Sequence, residues 1–265
     1  MKPVELPPEI AEAGGMACLA EEAVRGRQLT LEGYRFGGQI RCYGVVDSVT
    51  HDDSPSFVRF QYPASIPQRV ADRMADISTR IIEQVDLDNS TFNIEYFWDP
   101  DTDALHVLEV NPRHSQSHAE LFEQVDGASN HQTMVRLALG RDPQVPHRGG
   151  RFPVAAKWFL RHWNDAVVRR HPTGEEVAAL EREAEGITVD IIAHKGDRLS
   201  ELTDQDSCSY KIANIYRGAD DEDQLRAKFE RCAEARRSSS TNRRRGREPA
   251  HPGAARRPDD LGMSA

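Results

Sequence analysis

The 265-residue sequence contains no run of eighteen apolar residues, so no membrane-spanning helix is expected. Its first fifteen residues, MKPVELPPEIAEAGG, put prolines and acids where a secretory signal needs an apolar stretch. The four cysteines, Cys18, Cys42, Cys208 and Cys232, are scattered and lack paired metal-ligand spacing. Reduced thiols in a cytoplasmic protein are the expectation. Gly14-Gly15 and Gly37-Gly38 fit no phosphate-cradling loop, and no Walker-type or dinucleotide fingerprint occurs. Internal repeats are also missing. Positive charge is short in the body of the chain. The net charge is −9, yet from Arg236 onward eight arginines face three acids, which leaves 26 basic and 40 acidic residues in Met1–Ala235. An acidic body argues against nucleic-acid binding. The arginine-rich end is almost free of apolar residues and has no interleaved aromatics, so a disordered tail is expected over 236–265.

The remaining patterns predict an α+β protein. After a polar lead over 1–15, the chain alternates in the β manner. Cys18-Leu19-Ala20 reads as a short strand. Gln28–Phe36 and Gln39–Val49 flank Gly37-Gly38, a hairpin turn signal, and Phe57–Tyr62 follows. Ser65–Val85 reads as a helix with Pro67 in its first turn and an apolar stripe of Val70, Met74, Ile77, Ile81 and Val85. His118–Gln124 and Asn130–Leu139 are predicted helices, the second stopped by Gly140. Pro143–Gly150 divides a first unit, 16–142, from a small β-rich unit, 151–235. The second unit contains strands at Val154–Trp163, Ile187–His194 and Ser209–Arg217, and helices at Thr173–Ala184 and Asp220–Arg236.

The most informative stretch is Thr91–Asn111. Two strand-like runs, Thr91–Phe97 and Leu105–Asn111, flank the polar turn Trp98–Ala104. A hairpin symmetric about Thr102 sets Glu95 opposite Glu109 and Asn93 opposite Asn111. Like charges directly opposite on one sheet face repel. Both acids lie in otherwise apolar strands, so a buried pair is expected, and a buried pair needs a cation. Hard oxygen donors of this kind suit Mg²⁺, which takes its remaining ligands from water and phosphates. Arg113, just beyond, is a natural phosphate contact. Asp99, Asp101 and Asp103 lack the glycine and distal glutamate of a calcium loop and read as exposed turn residues. The polar run His114–His118 reads equally well as a loop with a helix cap or as a substrate contact. The charges of Glu21–Glu32 read as a solvated strand–turn–strand. The alternative for the whole stretch is a solvated acidic sheet face with no cation.

Read in order, these pieces resemble the ATP-grasp superfamily. A hinge at Ala20-Glu21-Glu22-Ala23-Val24 is followed by the turn Arg25-Gly26-Arg27-Gln28, the sheet to Tyr62 and the helix Ser65–Val85. Asn93-Ile94-Glu95 and the E-x-N-P-R run Glu109–Arg113 complete the order. The resemblance covers 16–140, and more loosely the chain to Ala235. It implies the C-terminal subdomain of an ATP-grasp domain, an antiparallel sheet with flanking helices. It implies ATP with Mg²⁺ or Mn²⁺ held by Glu95, Glu109 and Asn111. Glu21, Glu22, Ala23, Val24 and Gln28 would line the nucleotide, and Arg113 would act on the transferring phosphoryl or acyl-phosphate. The implied activity is a ligase of the carboxylate–amine or biotin-carboxylase-like kind. It activates a small-molecule carboxylate as an acyl-phosphate for attack by an amine or other nucleophile. Family members also supply two lysines and a glycine-rich loop from a preceding subdomain, whereas Lys2 is the only lysine ahead of the hinge here. The expectation is therefore the C-terminal half of a longer enzyme, its missing side supplied by a partner chain or a homo-oligomer. The alternative is a non-catalytic nucleotide-binding module with a regulatory or partner-binding role. Neither nucleic acid nor membrane is an expected partner.

Overall fold

The computed structural model describes residues 8, 20, 22–51, 54–183, 186–203, 205, 206 and 208–228. The expected strand at Cys18-Leu19-Ala20 falls mostly outside these residues, as do most of the polar lead and the whole of the tail over 236–265. The described chain forms one eight-stranded antiparallel sheet with helices on both faces. Its strands are β1 (Arg27–Phe36), β2 (Gln39–His51), β3 (Ser54–Tyr62), β4 (Ser90–Trp98), β5 (Leu105–Asn111), β6 (Val154–His162), β7 (Ile187–Ile191) and β8 (Tyr210–Ala219). Its helices are α1 (Gln68–Gln84), α2 (Ala119–Asp126), α3 (Asn130–Ala138) and α4 (Gly174–Glu183), and residues 222–228 are helical as well. The spatial order is β5-β4-β1-β2-β3-β6-β8-β7.

The β1–β2 hairpin turns at Gly37 and Gly38, both at positive φ (56° and 78°), a backbone that glycine adopts without cost and that matches the twist of the flanking strands. Leu29 and Leu31 of β1 and Phe92, Ile94, Tyr96 and Trp98 of β4 alternate onto one face and meet Val70, Met74 and Ile82 of α1. Each such side chain taken from water contributes roughly 1.5–3 kcal/mol. α1 buries Val70, Met74, Ser78 and Ile82, and the predicted Ile77 and Ile81 pack half-buried against the same cluster. Ser78 can sit inside because its hydroxyl is 2.7 Å from that of Tyr96. Val85, expected in the stripe, is the exposed C-cap.

The opposite face is covered in its middle by α2, whose Leu121, Phe122 and Val125 pack on Val46, Tyr62 and Ala155. The strands after Gly150 do not form a detached sheet. β6 pairs with β3, from Arg59↔Trp158 to Tyr62↔Ala155, and joins the second predicted group of strands to the first edge to edge. Val154, Ala156 and Trp158 of β6 form a third apolar cluster with Ile187, Ile215, Ala219 and Leu225.

Candidate functional site

The face opposite α1 carries the polar residues. In β4 the apolar alternation sends Phe92, Ile94, Tyr96 and Trp98 one way, so Asn93 and Glu95 must point the other way. The β4–β5 register pairs Glu95 with Glu109 and Asn93 with Asn111, as the hairpin argument expects. Below Glu95 the register slips by one, and Tyr96 pairs with Val107. This bulge leaves Leu108 unopposed, so the symmetry about Thr102 holds only in the upper half of the hairpin. On the other side of β4, Glu95 lies opposite Thr30 and Asn93 opposite Glu32. Two rows therefore cross three adjacent strands on one face: Thr30–Glu95–Glu109 and Glu32–Asn93–Asn111.

The carboxylate pair is not buried as expected. β5 is the edge strand; Glu109 is exposed, and Val107, Leu108 and Val110 are 43%, 49% and 39% exposed. Among the described residues β5 pairs with β4 alone and, of its apolar residues, Leu105 packs on the core, which is why this strand does not bury its acid. Glu95 is half-buried and accepts a 2.8 Å hydrogen bond from Nε2 of Gln28, one strand over. Arg113 donates to Oδ1 of Asn111 at 3.3 Å and to the carbonyl of His114 at 3.2 Å. Gln28, Glu95, Glu109, Asn111 and Arg113, far apart in sequence, thus meet on one sheet face. Glu22, Ala23 and Val24 form the exposed lead into β1. Glu21 lies outside the described residues.

The donor set fits a divalent cation of the Mg²⁺ or Mn²⁺ type. Two carboxylates and one amide share one face of the β4–β5 pair, and the guanidinium of Arg113 already rests on that amide oxygen as a positive group. No three His, Cys, Asp or Glu side chains converge among the described residues, so the protein offers no complete cage. That suits an ion that completes its shell with water and phosphate oxygens.

Several site-face residues escape a sequence reading. Glu32, read as part of a solvated stretch, is fully buried. It accepts hydrogen bonds from the hydroxyl of Tyr43 (3.1 Å), the backbone N–H of Ser115 (3.0 Å) and Nδ1 of His118 (2.9 Å), with longer ones from Asn93 and Asn130. His118 is accordingly a buried anchor. The one available signal was position, since Glu32 shares the alternation of Gln28 and Thr30. His114 follows Arg113 and lies 2.9 Å from Nδ1 of His131; burial, first among the causes, holds its pKa below the usual histidine range. Lys157 occupies the same sheet face four strands from β4, in the row Gln28–Ser48–Phe60–Lys157–Tyr216. Only 6% exposed, its ammonium sits 5.2 Å from the Phe159 ring and 5.1 Å from the Tyr216 ring, and burial brings its pKa down to about 8. The turn acids do more than face solvent. Asp99 accepts from the N–H of Asp101 and the hydroxyl of Thr102. Asp103 accepts from the indole of Trp98 at 3.0 Å and from Arg69 at 2.7 Å, and so ties the hairpin to α1. Among the described residues, no helix is long and apolar enough to cross a membrane.

Comparison with known proteins bears on this site. Residues 61–144, the span with Glu95, Glu109, Asn111 and Arg113, match the family model for the carbamoyl-phosphate synthase L chain, ATP binding domain. A stretch of 76 residues is 34% identical to the carbamoyl phosphate synthase large chain of Arthrobacter sp. (strain FB24), covering 29% of this chain and 7% of that protein. Phosphoribosylglycinamide synthetase from Anaerococcus prevotii superposes with a TM-score of 0.61 at 12% identity, over 79% of this chain and 52% of that one. The N5-carboxyaminoimidazole synthase from Aspergillus clavatus, solved with ADP and 5-aminoimidazole ribonucleotide, superposes with a TM-score of 0.58 at 12% identity, over 79% and 51%. The chain thus spans about half the length of these solved structures and a small part of the curated relative. At such identities the likeness to solved structures establishes the fold.

Proposed function

We propose, from the premise that this chain carries an ATP-grasp fold, that it holds ATP and a divalent cation on the Glu95–Glu109–Asn111 face as part of a ligase. The observation that carries the reading is the β4–β5 register. It places two like-charged side chains opposite each other on the edge pair of strands, with an amide oxygen and an arginine beside them. Like charges placed so are destabilising, and a cation held between them offsets the repulsion. A bound Mg²⁺ or Mn²⁺ neutralises charge on the nucleotide's phosphates. Glu95, Glu109 and Asn111 supply its protein oxygens. Gln28, released from Glu95, can turn to a ribose or phosphate oxygen. Arg113, which now rests on Asn111, would face the transferring phosphoryl group, where its fork of donors would stabilise developing negative charge. The exposed lead Glu22-Ala23-Val24 is the stretch that would line the adenine in this reading.

Phosphoryl transfer asks a protein for positioning and charge neutralisation more than for covalent chemistry, and this face supplies both. The substrate class proposed is a small carboxylate, activated as an acyl-phosphate and then attacked by an amine or another nucleophile. The exposed β5 edge leaves room for the other wall of the cleft, from a partner or a second copy.

Binding of a fluorescent ATP analogue, measured with Mg²⁺ and with EDTA, tests the reading. Saturable Mg²⁺-dependent binding that disappears in Glu109→Ala is expected. Binding indifferent to both Mg²⁺ and Glu109 would sink it. Phosphate release from ATP, measured across a panel of carboxylates, then separates a ligase from a module that only binds nucleotide.

A further inference from the structure

Among the described residues no lysine or arginine pairs with the buried carboxylate of Glu32, and it meets the residues proposed to hold the nucleotide only through others. Its donors come from four separate places in the chain. Tyr43 lies on β2, Asn93 on β4, Ser115 and His118 follow Arg113, and Asn130 opens α3. A carboxylate accepts and never donates, so every group around it must turn an N–H or O–H inward. For Asn93 this fixes which end of the amide faces which neighbour. Its Nδ2 points to Oε1 of Glu32 at 3.5 Å, so its Oδ1 faces β5. There it accepts from Nδ2 of Asn111 at 3.3 Å. Asn111 has then committed its N–H group to Asn93, and its Oδ1 is the atom left facing out. That oxygen is the one on which Arg113 rests. The three residues lie in one register row across β1, β4 and β5, so no side chain has to reach.

The same carboxylate grips the loop beyond Arg113. The N–H of Ser115 and Nδ1 of His118 donate to one oxygen of Glu32, at 3.0 and 2.9 Å. Asn130 donates to Glu32 and also, at 2.7 Å, to the carbonyl of Ser115. The edge of the Phe60 ring system closes over His118, with centroids 4.9 Å apart. Both ends of the short segment that presents Arg113 are therefore referenced to one buried group.

We propose that Glu32 is a positioning residue for the cation face, acting through Asn93 to turn the Asn111 oxygen outward and through Ser115 and His118 to set the loop that carries Arg113. The inference rests on the reading of Glu95, Glu109 and Asn111 as cation ligands. Outer groups that orient a metal ligand typically change affinity by about 10–100-fold when removed.

The test is Mn²⁺ binding to the full chain in the presence of ADP, followed by the electron paramagnetic resonance signal of free Mn²⁺. Glu32→Gln and Asn93→Ser are each expected to weaken Mn²⁺ binding by about 10–100-fold. The decisive comparison places Asn93→Ser in an Asn111→Asp background. An aspartate offers an oxygen whichever way it turns, so there the same Asn93 substitution is expected to cost less than about three-fold. The coupling so measured is the relay itself. A merely structural role for Asn93 would cost the same in both backgrounds, and that result overturns the proposal. So would wild-type affinity in both Glu32→Gln and Asn93→Ser, with the cation reading left standing. Should Glu32→Gln fail to fold by circular dichroism, the Asn93–Asn111 cycle decides alone. If the unmodified chain shows no saturable Mn²⁺ binding, or if Glu109→Gln and Asn111→Ala bind Mn²⁺ unchanged, the cation reading itself falls and the positioning role falls with it.

Discussion

Replacing Glu109 by glutamine should move stability and ligand response in opposite directions. Glu109 lies directly across from Glu95 at the sheet edge, and among the described residues the Gln28 amide on Glu95 softens the pair's repulsion. Removing one charge at nearly constant shape relieves a like-charge cross-strand contact, worth roughly 0.2–1 kcal/mol. For a domain of this size that corresponds to a rise of about 0.4–4 °C in melting temperature without ligand. The gain should shrink in 1 M NaCl, where the screening length falls to about 3 Å. With MgATP the order reverses. At ten times its dissociation constant a ligand adds about 1.4 kcal/mol, or about 3–6 °C, to a protein that binds it. The wild-type chain should show that shift and Glu109→Gln should lose most of it. Differential scanning fluorimetry with and without MgATP at two salt concentrations is sufficient. Equal ligand-free melting temperatures together with equal MgATP shifts would refute both the repulsion and the cation site. A site that trades stability for binding must instead show the crossing.

Lys157 titrates in the folded protein at about 8, against an ordinary 10.5, mainly through burial, a difference of ~3 kcal/mol between its charged and neutral forms. Because the unfolded chain holds this proton more tightly, stability should rise with pH between about 8 and 10.5. Lys157→Met should flatten that rise in urea unfolding midpoints measured across the range; an unchanged slope would assign it elsewhere. Cys42 is half-buried with its pKa pushed up to about 11 by burial, while Cys208 is exposed. Peptide mapping after brief iodoacetamide treatment at pH 8 should find Cys208 alkylated well ahead of Cys42. Gly44 lies under α2, where a Cβ would come within 2.4 Å of the Phe122 ring and 2.9 Å of the Tyr62 ring. Gly44→Ala should cost about 1–3 kcal/mol in chemical denaturation by overpacking, and a neutral result would mean that α2 moves freely on the sheet.

The sequence alone determined the local pattern. Strict alternation gave the strands, 3.6-residue spacing gave α1, and the glycine pair at 37 and 38 gave the first hairpin. Glu95 and Glu109 were legible as a pair because a short polar turn leaves few registers and alternation fixes the face. The bulge below Glu95 was not legible, because it changes the pairing without changing the alternation above it. Burial departs from the sequence expectation in both directions for one reason. Whether a strand is central or at an edge is a property of the sheet order, which joins β5 to β4 alone but encloses β1 between β4 and β2. Hence apolar β5 is exposed with Glu109 upon it, and the glutamate of β1 that looked solvated is sealed. Gln28 reaches Glu95, and Glu32 meets Asn93, across strands more than sixty residues apart in sequence. Such contacts follow from strand order and from which elements close over a face, and only the tertiary structure sets those.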